Sequence, residues 1–292
     1  HKTTLKQDIA LQLMAKFAID EDKKALFLLK GYAGTGKTTL IGTLVKNLWQ
    51  AKLSPVLMAP TGRAAKVISN YSQKEAFTIH RKIYQPKAKS GGGVTFSLQK
   101  NKHRNTIFIV DEASMIPDVN TDGKMFDSGS LLDDLIQYVY GGHNCKLLLI
   151  GDTAQLPPIK LDVSPALVAQ TLEGRYQLNV QELELDEVLR QKSDSGILFN
   201  ATEIRKCLDD GVYERFKFDI SQSTDVIRPV DGMEVMDAIS DSYNENNDED
   251  AVFIVRSNKR ANLYNQNIRA RVLYQDQELA AGDRLMVVKN NY

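Results

Sequence analysis

Gly31-Tyr32-Ala33-Gly34-Thr35-Gly36-Lys37-Thr38 is the stretch that decides the fold. Ala25–Lys30, just before it, is apolar, too short for a helix and without polar alternation, which is how a strand buried on both faces reads. Thr38–Lys52, just after it, puts Leu40, Ile41, Leu44, Val45 and Leu48 on one side, the period of a helix. A glycine-rich turn between such a strand and such a helix has a physical use. Its backbone N–H groups turn inward and the helix adds the positive end of its dipole, so the turn cradles phosphate. The spacing of Gly31 to Gly36-Lys37-Thr38 is a complete Walker A pattern. Gly34, Thr35, Gly36, Lys37, Thr38 and Thr39 are therefore the candidate binding residues for ATP. Lys37 is suited to neutralise the β- and γ-phosphates, and Thr38 to offer a hydroxyl to Mg²⁺.

Three more short apolar runs follow, Pro55–Ala59, Thr106–Val110 and Lys146–Ile150, with a helical stretch at Arg63–Asn70 after the first of them. Strands alternating with helices predict an α/β domain whose parallel sheet carries helices on both faces. Each run ends in a polar or glycine-bearing segment: the Walker A loop, Ala59-Pro60-Thr61-Gly62-Arg63, Asp111-Glu112-Ala113-Ser114 and Gly151-Asp152-Thr153-Ala154-Gln155. Ligands of open α/β sheets bind beyond the carboxyl ends of the strands, so these segments are expected to converge on one edge. Asp111-Glu112 closes a buried strand in the Walker B manner. Asp111 is the candidate Mg²⁺ ligand and Glu112 the candidate group that polarises the attacking water. Gln155 is placed to sense γ-phosphate.

Residues 84–105 contain Ser90-Gly91-Gly92-Gly93 followed by the alternating Val94–Leu98, which predicts a small β-hairpin inserted between the second and third strands. The composition shifts near 178–190. Beyond it lie a helix at Gly196–Leu208, a polar loop at Asn244–Asp250, a buried strand at Ala251–Val255, a helix at Asn258–Leu273 and a last strand at Asp283–Val288. We expect a first domain over 1–182 and a partial second domain over 183–292.

The 292 residues are 42% hydrophobic and 25% charged, the balance of a globular protein. No run approaches the roughly 20 apolar residues of a membrane span. Cys145 and Cys207 form neither a disulfide framework nor a metal-ligand spacing, so reduced thiols and an intracellular, cytoplasmic setting are expected. The chain opens at His1 rather than methionine, so a trimmed or processed start is expected. A net charge of zero conceals an asymmetry: residues 1–110 hold 19 basic against 5 acidic residues, and residues 63–104 hold ten against one. Such a split points the first half towards a polyanion.

The succession GYAGTGKT, APTGRAAKVI, TIHRKIY, VDEASM, GDTAQLPPI and LDEVLRQ resembles the ordered motifs of superfamily 1 DNA helicases, in particular the RecD-like, Dda-like branch. A weaker match, VFIVRSNKRANLYNQNIR, extends the resemblance to residue 269. It implies two RecA-like P-loop NTPase domains, the second one partial here. It gives Gln7 the role of reading the adenine edge, and Arg190 that of an arginine from the second domain reaching γ-phosphate. Leu189 stands where many members carry an adenine-stacking aromatic. Pro60, Thr61, Arg63 and His80, with Ser257 and Asn258 in the second domain, are implied as single-strand contacts, and the hairpin as a duplex-splitting pin. After Asp283–Tyr292 the family's two further motifs have no counterpart. The sequence is therefore expected to be a fragment of a longer protein, or to bind ATP without full helicase activity.

The resemblance implies an ATP-dependent helicase or translocase on single-stranded DNA or DNA junctions, moving 5′→3′ in repair or recombination. A different class is a nucleotide-switched DNA-binding subunit of a repair nuclease complex, without motor activity of its own. A small-molecule kinase shares the P-loop but gives no role to Gly151–Pro158 or Arg190.

Overall fold

The computed structural model describes residues 3–88, 94–118, 129–187, 195–212, 214, 216–221, 224–244, 252–281, 283 and 285. In chain order these contain α1 (Leu5–Ile19), β1 (Ala25–Gly31), α2 (Lys37–Asn47), β2 (Ser54–Ala59), α3 (Gly62–Ser72), β3 (Ala76–Thr78), α4 (Ile79–Ile83), β4 (Tyr84–Ala88) and β5 (Val94–Leu98). They continue with β6 (Arg104–Val110), α5 (Leu131–Tyr140), β7 (His143–Gly151), α6 (Ala169–Tyr176), β8 (Asn179–Leu185), α7 (Gly196–Asp209), α8 (Gly232–Asn244) and α9 (Asn258–Arg271).

Six strands form one sheet in the order β3-β2-β6-β7-β1-β8, and every pairing in it is parallel. Successive side chains of β1 point to opposite faces, and both faces are dry. Leu26 and Leu28 join Ile79, Ile83, Phe108, Leu132, Leu135 and Leu172 on one side. Phe27 and Leu29 join Met14, Phe17, Leu40, Ile41 and Ile68 on the other. Helices α1, α2 and α3 thus cover one face, and α4, α5 and α6 the other, which is why the strands read as unbroken apolar runs. The α/β expectation with helices on both faces holds.

The hairpin of β4 and β5 is antiparallel, with Tyr84 opposite Leu98. Its base is held by Phe96 and Tyr84, which are buried in the core, and the Tyr84 hydroxyl donates to the carboxylate of Asp134 on α5. The tip lies outside the described residues.

Three expectations shift. The helix after the Walker A loop ends at Asn47 and tightens into a 3₁₀ turn over Leu48–Ala51, closed by Lys52 in the left-handed region. The sheet runs past residue 182, because β8 continues to Leu185 beside β1. The strand expected at Ala251–Val255 is not formed by 252–255, where Val252 is 72% and Ile254 94% exposed. A strand exists by pairing, and among the described residues these four have no neighbouring strand to complete their backbone hydrogen bonds. The strand expected at 283–288 falls almost wholly outside the described residues.

The chain divides into two compact units, residues 1–193 with 205–213, and residues 194–204 with 214–292. Among the described residues the second unit holds helices and no strand.

Helix α1 is pinned at both ends. Thr4 and Gln7 form a capping box at its start, and the Gln7 amide reaches on to the Thr35 carbonyl at 2.9 Å. At its end the ammonium of Lys146, 3% exposed on β7, donates to the carbonyls of Phe17 at 2.8 Å, Ala18 at 3.2 Å and Asp20. A cation there satisfies carbonyls that the helix leaves open and meets the negative end of its dipole. Replacing Lys146 with Met should cost about 2 kcal/mol and lower the thermal midpoint by several degrees, read by circular dichroism. An unchanged midpoint would show that α1 is held without it.

Candidate functional site

The register of the sheet brings four strand ends together. Lys30 pairs with Gly151, Leu149 with Val110, and Val110 with Met58, so β1, β7, β6 and β2 finish at one edge. The Walker A loop, the Asp152–Gln155 turn, the Asp111-Glu112 pair and Pro60–Arg63 leave from these ends in that order.

The loop after β1 is built by two different glycine requirements. Gly34 and Gly36 have φ of 82° and 86°, a region where a β-carbon is strained. At Gly31 the limit is space, since a β-carbon there would sit 2.8 Å from the Leu185 carbonyl oxygen of β8. Thr35 is buried, and its hydroxyl donates to the Tyr32 carbonyl at 2.8 Å. Thr38 is half-buried in the first turn of α2, and Thr39 beside it is exposed. The Lys37 ammonium donates to the loop's own carbonyls, Gly31 and, at 2.8 Å, Tyr32. Burial pushes Lys37 below its usual range, and Asp152, Asp111 and Glu112 pull against that.

Asp111 accepts the backbone N–H of Glu112 at 2.9 Å, and Glu112 takes the left-handed conformation with φ of 58°. Burial holds both carboxyls above the usual carboxylate range, and for Glu112 the neighbouring charge of Asp111 adds to it. Gln155 accepts the Ser114 hydroxyl at 3.2 Å, which joins the turn after β7 to the turn after β6. Ser114, buried and on the same 3₁₀ turn as Ala113, received no role from its sequence.

Among the described residues there is no cluster of three or more metal-ligating side chains. Mg²⁺ is commonly held by one or two protein groups, waters and substrate phosphates rather than by a protein cage. Thr38 and Asp111, both half-buried, fit this pattern.

The remaining candidates are placed unevenly. Gln7 is buried, and its amide is engaged by the chain itself, its oxygen with the Thr4 N–H at 3.2 Å and its nitrogen with Thr35. Arg190 lies outside the described residues. Pro60 follows the end of β2, Thr61 caps α3 by accepting the Ala64 N–H at 3.2 Å, and Arg63 is exposed in that helix's first turn. His80 is half-buried on α4 with its ring 5.7 Å from that of Tyr84. Phe77, beside it and not anticipated, has the Lys82 ammonium 4.8 Å and the Arg81 guanidinium 5.7 Å from its ring centre. In the second unit, Ser257 caps α9 by accepting the Arg260 N–H at 3.3 Å, and Asn258 begins that helix exposed.

A parallel sheet with a glycine cradle after β1 and a half-buried carboxylate pair two strands away defines a P-loop nucleoside triphosphatase fold. The chain belongs to the AAA domain family, whose model matches residues 10–211. It is similar to the ATP-dependent DNA helicase dda of Enterobacteria phage T4, 29% identical over 188 residues, which cover 63% of this chain and 39% of that protein. It is similar also to the ATP-dependent RecD2 DNA helicase of Deinococcus radiodurans, 28% identical over 180 residues, covering 59% of this chain and 21% of that one. These relatives agree with the RecD-like, Dda-like resemblance read from the motifs, and the chain spans well under half the length of either. Among solved structures, Pif1 helicase from Candida albicans matches with a TM-score of 0.49 and 19% identity, over 93% of this chain and 55% of that one. Among the described residues no helix is long and apolar enough to cross a membrane.

The raised Asp111 carboxyl has a consequence for stability. The unfolded chain releases this proton at lower pH than the folded one, so the folded state carries the cost of a buried charge once pH passes the raised value. Below the ordinary carboxylate range, near pH 4, both states are protonated and the cost vanishes. In Mg²⁺-free buffer at pH 8, Asp111→Asn should therefore raise the thermal midpoint by about 2 °C or more, and the gain should fade towards pH 4. A midpoint lowered at pH 8 would refute the burial account.

Proposed function

We propose that this chain is the nucleotide-binding portion of an ATP-dependent DNA helicase or translocase acting on single-stranded DNA. The observation that carries the reading is the shared sheet edge. The Lys37 loop, the Gln155 turn and Asp111-Glu112 leave β1, β7 and β6, and β6 pairs with β2, whose end leads into Pro60–Arg63 and the basic run of 63–104.

In this reading Lys37 leaves the carbonyls of Gly31 and Tyr32 for the β- and γ-phosphates of ATP, and the loop N–H groups take the remaining oxygens. Thr38 and Asp111 would hold Mg²⁺, which would supply neutralisation of phosphate charge. Glu112 accepts the proton of the attacking water, and its raised affinity for protons suits a general base. Gln155, already tied to Ser114, orients that water against γ-phosphate. Arg190 stabilises the charge of transfer, a role in which an arginine finger is worth about 10³–10⁵ in rate. Thr61, Arg63 and His80 grip the phosphates and bases of one strand, and Ser257 and Asn258 do so from the second unit. Movement is 5′→3′, and the task is repair or recombination.

Two measurements test this. Lys37→Ala should abolish binding of a fluorescent ATP analogue, whereas Glu112→Gln should bind it within about threefold of wild type and lose at least about a hundredfold in turnover. Equal loss of binding in both would break the assignment of roles.

Single-stranded DNA should stimulate turnover, and its affinity should fall by at least about tenfold between 50 and 200 mM salt as counterions return to the phosphates. Binding that hardly responds to salt would remove the polyanion reading. Salt-sensitive DNA binding without any stimulation would favour a nucleotide-switched binding module over a motor.

A further inference from the structure

We propose that Arg205 is a positioning residue of the nucleotide site, holding the Walker A loop and the Gln155 turn in one arrangement. The inference rests on the P-loop reading above and concerns a residue that its motifs do not include. Arg205 lies near the end of α7 and belongs to the same compact unit as the loop.

Its guanidinium carbon is 3.4 Å from the centre of the Tyr32 ring, a face-on cation–π contact at van der Waals distance. One of its terminal nitrogens is 3.4 Å from Asp152 Oδ2, and the Asp152 side chain is only 2% exposed. Each of these partners organises a loop. The Tyr32 carbonyl accepts from the Lys37 ammonium at 2.8 Å, from the Thr35 hydroxyl at 2.8 Å and from the Thr35 N–H at 3.3 Å. The Tyr32 N–H donates to the Leu185 carbonyl of β8 at 3.2 Å. Asp152 accepts the Ala154 N–H on Oδ1 at 2.9 Å and the Gln155 N–H on its backbone carbonyl at 3.2 Å, so it shapes the turn that carries Gln155. One side chain thus spans the residue that sets the phosphate loop and the residue that sets the γ-phosphate sensor.

Arg205 does not look like an arginine placed for its own hydrogen bonding. Its Nε is buried without a partner among the described residues, which carries a desolvation cost. Its placement is accounted for by the two groups it holds. A buried Asp152 without its cation would be an uncompensated charge, and the turn it organises would relax. The loop is also anchored by the Tyr32 N–H on the Leu185 carbonyl and by the Lys37 and Thr35 bonds to the Tyr32 carbonyl, so its N–H contacts to the α- and β-phosphates persist without Arg205. Arg205 therefore acts on recognition of the third phosphate more than on nucleotide binding as a whole.

The test compares the affinities of the whole 292-residue chain for a non-hydrolysable ATP analogue and for ADP, both fluorescent, with Mg²⁺. Arg205→Met keeps the aliphatic stem and removes the charge. It should reduce the preference for triphosphate over diphosphate by about fivefold to tenfold and change ADP affinity by less than about threefold. Arg205→Lys, which can still reach Asp152 and sit over Tyr32, should restore most of the preference. Gln155→Ala should lose a similar amount, and the double variant with Arg205→Met no more than either alone, because both act through one turn. Arg205→Met weakening both nucleotides equally, or Lys failing to restore what Met removes, would reduce Arg205 to a packing role and overturn the proposal. A wild-type chain without preference would overturn it as well, since nothing would be left for Arg205 to position. Lys37→Ala separates the levels. If that variant binds as wild type does, the P-loop reading itself fails. If it loses binding while Arg205→Met keeps the full preference, only the inference about Arg205 fails.

Discussion

The parallel register of β1, β7, β6 and β2 is the constraint on which the rest of the molecule depends. Parallel pairing sets all strand ends of one polarity along one edge, and crossovers covered by helices leave no other side from which a ligand can enter. A one-residue slip of β6 against β7 would turn Asp111 towards the other face and break the pairing that sets Val110 beside Leu149. Rigidity comes from the two dry faces, where Phe27 and Leu29 on one side and Leu26 and Leu28 on the other are fully buried. The loops at the edge can therefore hold conformations that would not persist alone, such as Glu112 in the left-handed region.

The site is held at a cost in stability that the sheet offsets. Lys37, Asp111 and Glu112 are each displaced by burial towards their neutral forms, which is the direction expected where charges wait for a ligand. Among the described residues none of the three forms an ion pair. Lys37 rests instead on its own loop's carbonyls, and Asp111 on a backbone N–H. In the proposed reading, such groups gain more from a triphosphate and Mg²⁺ than charges that are already paired. Gln7 and Lys146 act at one remove, since they fix α1 and α1 in turn fixes the Thr35 carbonyl.

The second unit is of a different kind. Its described helices bury little, Ile239 on α8 and Ile268 on α9 being its buried apolar side chains. Arg269 holds its last turn of helix to the following segment by pairing with Asp283 at 2.8 Å and by donating to the carbonyls of Gln277 and Glu278. With so little apolar area removed from water, local polar contacts carry much of its order.

The sequence by itself determined the four central strands, the cradle between β1 and α2, the carboxylate pair after β6 and the inserted hairpin. These were legible because strands buried on both faces read as apolar runs, and because phosphate binding demands glycines and a lysine at fixed offsets. The edge strand β8 was read as a composition boundary, since Asn179–Leu185 has one wet side and alternates with charge. The strand expected at 251–255 rested on apolar content alone, and pairing, a property of two segments, decides whether a strand forms. Only the tertiary structure showed that Gln7 is buried against the Thr35 carbonyl, that Ser114 joins Gln155, and that Arg205 lies on Tyr32. Arg205 is 173 residues from Tyr32 and 53 from Asp152 along the chain. No periodicity or motif spans such separations, and a cation's partners are set by which surfaces the fold brings within a few ångströms.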